Sequence, residues 1–167
     1  MYIQKLKETL QQKSQTLGKK FLSNHQSQIF LSKHTRLVDD SLKKLWNARD
    51  IKGGLCLVAV GGYGRSELFP YSDVDILVLS NNKLTKNESE SISGFIIDCW
   101  DLGLKIGHSV RNISEAREEF HKDITTATNL LENRFVTGDQ IIFKKLLFLI
   151  DKEISVDNFY AEKIKEQ

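Results

Sequence analysis

Two aspartates one residue apart, Asp73 and Asp75, stand at the entrance to the apolar run Ile76-Leu77-Val78-Leu79. On a strand, side chains two apart point to the same side, with Cα atoms about 6.6–6.8 Å apart. Carboxylates that near repel, and burying them without a compensating cation is costly. Oxygen-only ligands in small number, with positions left for water and phosphate, suit Mg²⁺ or Mn²⁺. An isolated Asp-x-Asp more often marks a loop that caps itself, here through Ser72-Asp73, so the neighbouring residues must decide.

The neighbours favour chemistry. Gly61-Gly62 falls at the carboxyl end of a first apolar run, 55–60, where a backbone without side chains can aim N–H groups at phosphate oxygens. Gly64-Arg65-Ser66 follows, with the expectation of a short helix whose N-terminus adds its dipole. Arg65 can clamp a phosphate in a bidentate manner, and Ser72 is a weaker phosphate contact. No Gly-Lys-Ser/Thr occurs, which excludes a Walker A loop, and the glycine spacing of a dinucleotide-binding turn is absent. Only residues 61–73 separate the two apolar runs, about the least a parallel crossover needs, so they are expected to pair antiparallel or within a mixed sheet. That arrangement turns the glycines and the aspartates toward one another.

The positioning elements follow from periodicity. Residues 1 to about 50 read as helices, with Phe30, Leu37, Val38, Leu42, Leu45 and Trp46 at helical spacing, until Gly53-Gly54. After the second strand, Ile92, Phe95, Ile96, Cys99 and Trp100 line one helical face, which puts Trp46 and Trp100 in the core. A third strand is expected over 105–113, with His108 and Arg111 on opposite faces, so that one of them at most reaches the site; Arg111 is the choice. Helices are expected over 115–120, 124–136, 140–152 and 156–166. The fold class is therefore α/β (α+β), a small mixed sheet with helices, divided into a helical segment 1–50, a core 51–113 and a helical segment 114–167.

With 167 residues, 19.2 kDa, 40% hydrophobic and 28% charged residues, the chain is an ordinary globular domain. A net charge of +2 excludes strong nonspecific attraction to nucleic acid or anionic membrane. The lysine-rich start reads as a solvated helix face. Cys56 and Cys99 sit in apolar runs, as buried free thiols of a reducing compartment would. No apolar run approaches the roughly 20 residues of a membrane helix, and the start lacks a signal-peptide core, so a cytoplasmic location is expected. His25, His34 and His121 lack companions at metal-ligand spacing and read as surface or packing residues.

Gly61-Gly62, a spacer, then Asp73-x-Asp75 entering an apolar strand resembles the signature of the DNA polymerase beta-like nucleotidyltransferase superfamily. Within it, the string from Val58 to Leu77 resembles the amino-terminal domain of the bacterial protein-PII uridylyltransferase/uridylyl-removing family. Residues 100–111 resemble that family's next strand, and Asp123-Ile124-Thr125-Thr126-Ala127-Thr128 with Glu132-Asn133-Arg134 its following helix.

The resemblance implies a nucleotidyltransferase fold and UTP as donor, its triphosphate over Gly61-Gly62, Mg²⁺ or Mn²⁺ on Asp73 and Asp75, and a tyrosine of the PII protein as acceptor. It also implies a longer enzyme, with a phosphohydrolase domain of the HD type and two ACT domains; this chain ends before either, giving the expectation of an isolated transferase domain. The superfamily's third carboxylate is missing: Ser109 stands near its expected place and Asp101 comes too early. Glu67 is open to either a turn-fixing or a catalytic role. A silent nucleotide-binding or PII-docking module, or transfer to another acceptor, are the alternatives.

Overall fold

A computed structural model of the chain describes residues 1–24 and 26–154. The expected last helix, 156–166, and His25 lie outside the described residues.

Two helices, α1 (Tyr2–Asn24) and α2 (Ser27–Ala48), open the chain and pack against each other. There follow β1 (Leu55–Ala59), the single helical turn α3 (Gly61–Gly64), β2 (Val74–Ser80), α4 (Lys86–Asp101) and β3 (Ile106–Asn112). Then come α5 (Ile113–Lys122), α6 (Ile124–Leu131), β4 (Arg134–Gly138) and α7 (Gln140–Glu153). The strands form one sheet in the order β3-β2-β1-β4. β1 and β2 run antiparallel, with Ala59 opposite Ile76, whereas β2 and β3 run parallel, with Asp75 opposite Gly107. The sheet is mixed, as expected.

Both faces of the central strands are covered, which is why β1 is a continuous apolar run rather than an alternating one. Leu55, Leu57 and Ala59, with Val74, Ile76 and Val78, meet α2 and α4 through Leu42, Leu45, Trp46, Phe95 and Cys99. Cys56, Val58 and Val60, with Leu77 and Leu79, meet Ala116, Phe120, Leu130 and Leu146 of α5, α6 and α7. Both cysteines are buried and free, and burial pushes each thiol up to about 12.

Two expectations need correction. The helix predicted over 124–136 stops at Leu131, and Arg134–Gly138 instead pairs antiparallel with β1 as the fourth strand. Trp100 is not a core residue: it is 51% exposed, because it sits one position past Cys99 at the edge of the apolar stripe, where its ring meets His108 edge-on. Trp46, by contrast, is 2% exposed and packs edge-on against Phe95.

Candidate active site

Asp73 lies in the loop just before β2, exposed, and Asp75 is the second residue of the strand, half-buried. Strand alternation points Asp75 away from the Val74–Ile76 face, toward α5 and α6. Its neighbour on β3 is Gly107, and a Cβ there would overlap Asp75 Oδ1. Only glycine leaves room for this carboxylate to lie against β3. Burial, and after it the charge of Asp73, pushes the Asp75 carboxyl above its ordinary value of 3.8. The two acids therefore feel each other, and a divalent cation between them would relieve both causes.

Facing Asp75 is the glycine turn. The Val60 N–H donates to the Asp75 carbonyl at 3.1 Å, which fixes the end of β1 against the start of β2 and brings Gly61 beside the carboxylate. Gly61 has φ +58°, the left-handed region that favours glycine; a Cβ there would meet Asn129 Oδ1 at 3.5 Å and Asp75 Oδ2 at 3.8 Å. Gly64 has no freedom either, since a Cβ would overlap the Glu132 carbonyl. The short helix expected at Gly64-Arg65-Ser66 comes earlier, as the single turn Gly61–Gly64 capped by Arg65, so any dipole contribution is small.

Tyr63, between these glycines, is 1% exposed. Its hydroxyl donates to Asp39 Oδ1 of α2 at 2.5 Å, and Arg134 of β4 donates to both Asp39 oxygens at 2.7 and 3.1 Å. Arg134 also donates to the Tyr63 carbonyl at 3.2 Å and lies 5.2 Å from the Tyr63 ring centre.

A cavity of about 230 Å³ opens beside Asp75, lined also by Ser109 and Arg111 of β3, Glu119 of α5, and Thr126 and Asn129 of α6. Arg111 faces α5, its nearest carboxylate being Glu119 at 4.0 Å, while the His108 ring turns to Trp100 on the opposite face, as alternation predicts. Arg65 is 46% exposed and already holds Glu67 at 2.9 Å and Glu132 at 2.5 Å. Glu67 thus fixes the turn through Arg65 and through its own N–H, which donates to the Gly62 carbonyl at 3.1 Å. Ser72 lines a different groove, between the α1–α2 pair and the loop before β2. His121 is exposed and bonded to Glu153; His34 is tied to the Leu68 carbonyl at 3.1 Å. Among the described residues, no group of three or more His, Cys, Asp or Glu comes together to hold a metal.

A family model described as a nucleotidyltransferase domain matches residues 36–131, which run from α2 through α6 and include both aspartates, the glycine turn and the cavity. The chain belongs to the nucleotidyltransferase domain family. Curated relatives agree: it is 39% identical over 165 residues to the bifunctional uridylyltransferase/uridylyl-removing enzyme of Chromobacterium violaceum, covering 99% of this chain and 19% of that protein. It is 42% identical over 170 residues to the enzyme of the same name from Vibrio parahaemolyticus, again covering 99% and 19%. The chain spans about a fifth of the length of these relatives. A solved toxin–antitoxin structure with AMP-PNP aligns with 77% of this chain and 93% of its own at TM-score 0.45 and 16% identity, a likeness too distant to bear on function.

Several residues of this nucleotidyltransferase domain escape a reading of the sequence. Gly107 looks like any strand glycine until its partner Asp75 is known. Asn129 and Glu119 are polar positions on short helices, with nothing in their spacing to turn them toward Asp75. Asp39 precedes Asp40 on a helix and reads as solvated, yet it is 8% exposed because Tyr63 and Arg134 converge on it. Among the described residues, no helix is long and apolar enough to cross a membrane.

Proposed function

We propose that this domain transfers UMP from UTP to a tyrosine hydroxyl of a PII signal protein, with Mg²⁺ or Mn²⁺ held by Asp73 and Asp75. The observation that carries the proposal is the Asp75 carboxylate seated against Gly107, beside Gly61 and at the mouth of a cavity that Arg111, Ser109 and Asn129 also line. The donor set suits the ion: two carboxylates, one of them destabilised by burial and by its neighbour's charge, with the remaining positions open to triphosphate oxygens and water. The curated relatives are named uridylyltransferases, which supports the uridylyl group.

When bound, the metal supplies neutralisation of charge on the triphosphate oxygens. The protein's own part is to position. Ionised Asp75 keeps its oxygens toward the cavity because β3 offers Gly107 and no side chain in their place. Gly61-Gly62 lets phosphate oxygens approach the backbone N–H groups. Arg111, whose carboxylate contact is long at 4.0 Å, is the cation we assign first to the phosphates. Arg65 serves them only by exchanging Glu67 or Glu132, and Ser72, which lines the other groove, is not among the phosphate contacts we assign. The phenol oxygen forms the new bond to the α-phosphorus as the bond to pyrophosphate breaks, and the phenol proton is released to solvent.

The test is incubation of the chain with Mg²⁺, labelled UTP and PII. Label on a PII tyrosine, abolished in Asp75→Asn, is the expected result. Among the described residues no third His, Cys, Asp or Glu joins Asp73 and Asp75 closely enough to hold a metal with them, which favours a second reading, a nucleotide-binding module without turnover. Binding of UTP with no label on PII would select it.

A further inference from the structure

We infer that Asp39, Tyr63 and Arg134 form a positioning device that holds the glycine turn in its nucleotide-binding shape and so sets the affinity for the nucleoside triphosphate. The inference rests on the proposed function and adds to it three residues that touch neither phosphate nor metal.

The turn cannot hold itself. Glycine loses more conformational freedom on folding than any other residue, and three of the four residues in α3 are glycines. Its backbone bonds are all local: Gly64 N–H donates to the Val60 carbonyl at 3.1 Å, Arg65 N–H to that of Gly61 at 3.0 Å, Ser66 N–H to that of Tyr63 at 3.1 Å and Glu67 N–H to that of Gly62 at 3.1 Å, and none of them ties the turn to α2 or β4. Tyr63 is the one side chain by which the rest of the fold can grip α3, and it is gripped at three points. Its hydroxyl is bonded to Asp39, its carbonyl to Arg134, and its ring lies beneath the Arg134 guanidinium. The two gripping residues come from α2 and β4, elements that flank the turn without belonging to it.

Stability alone does not account for the arrangement. Replacing a buried ion pair by well-packed apolar groups is often neutral or stabilising. Here an Asp–Arg pair is kept, with the carboxylate side chain 11% and the guanidinium side chain 26% exposed, and Arg134 Nε is left buried without a partner. What the pair supplies is direction: a bidentate fork allows one orientation of Asp39, and that orientation presents Oδ1 to the Tyr63 hydroxyl. The Arg49–Asp98 pair is a natural control, because it joins α2 to α4 with bonds of 2.5 Å and lies outside the turn.

The experiment compares the unaltered chain with Tyr63→Phe, which removes a single hydroxyl, and with Asp98→Asn. Amide hydrogen exchange is followed at Gly64 and Arg65, and binding of MgUTP by calorimetry. Tyr63→Phe is expected to speed exchange at those two amides and to weaken MgUTP about tenfold, the effect of losing one hydrogen bond to a charged acceptor. Asp98→Asn is expected to lower the melting temperature while leaving both readouts unchanged. Equal exchange and equal affinity in Tyr63→Phe and the unaltered chain would overturn the inference, whatever happens to the melting temperature. Failure of the unaltered chain to bind MgUTP would count against the proposed function instead, and exchange at Gly64 and Arg65 would still decide whether the three residues hold the turn.

Discussion

Gly107 and Asp75 sit opposite each other on parallel strands, and the carboxylate of one occupies the space a side chain on the other would fill. An alanine at 107 therefore has to push Asp75 off its position. Gly107→Ala is expected to lower nucleotidyl transfer about a hundredfold, the order of loss that a misplacement of about 1 Å produces, with the sheet still formed. Transfer rate and circular dichroism of the variant check this together.

Asp75 also predicts a separation of activity from stability. Its carboxyl is raised by burial and then by Asp73, so its ionised form is disfavoured in the folded state. The sign follows: this unfavourable contribution is absent below the ordinary value of 3.8 and is fully present only once the pH exceeds the raised one. Asp75→Asn is expected to abolish transfer yet to be at least as stable as the unaltered chain at pH 7, the advantage disappearing in acid. Asp73→Asn is likewise expected to abolish transfer. Thermal unfolding across pH, beside a transfer assay, reads both.

Asn129 lies against Gly61 and lines the cavity from α6, exposed and engaged in no hydrogen bond among the described residues. Its amide is free to meet the nucleotide. Asn129→Ala is expected to raise KM for UTP about tenfold, one hydrogen bond's worth, with the melting temperature within about 1 °C. Steady-state kinetics at varied UTP concentration provide the check.

Gly64 answers a packing question, because a Cβ there would overlap the backbone of Glu132. Backbone cannot give way as a flexible side chain can. Gly64→Ala is expected to cost about 2 kcal/mol or more, and denaturant unfolding measures it.

Much of this site is legible in sequence because its elements have local causes. The strands β1 and β2 are continuous apolar runs since both sheet faces are covered, and their antiparallel pairing faces Gly61 toward Asp75. His108 and Arg111 part to opposite faces through simple alternation. What is hidden has distant causes. β4 follows α6 with only Glu132-Asn133 between, two residues without proline or glycine, so in sequence the helical pattern of Leu130-Leu131 runs on through Phe135-Val136. Asp39 is buried because Tyr63 and, 95 positions later, Arg134 converge on it. Trp100 belongs by type to the core, but its place at the edge of the α4 stripe leaves it exposed.

If Asp73 and Asp75 hold a divalent ion together with the triphosphate, Mn²⁺ binding followed by electron paramagnetic resonance detects it. With UTP present, the unaltered chain is predicted to take up Mn²⁺ and Asp75→Asn to lose that uptake. Equal Mn²⁺ uptake by the two proteins would contradict the account.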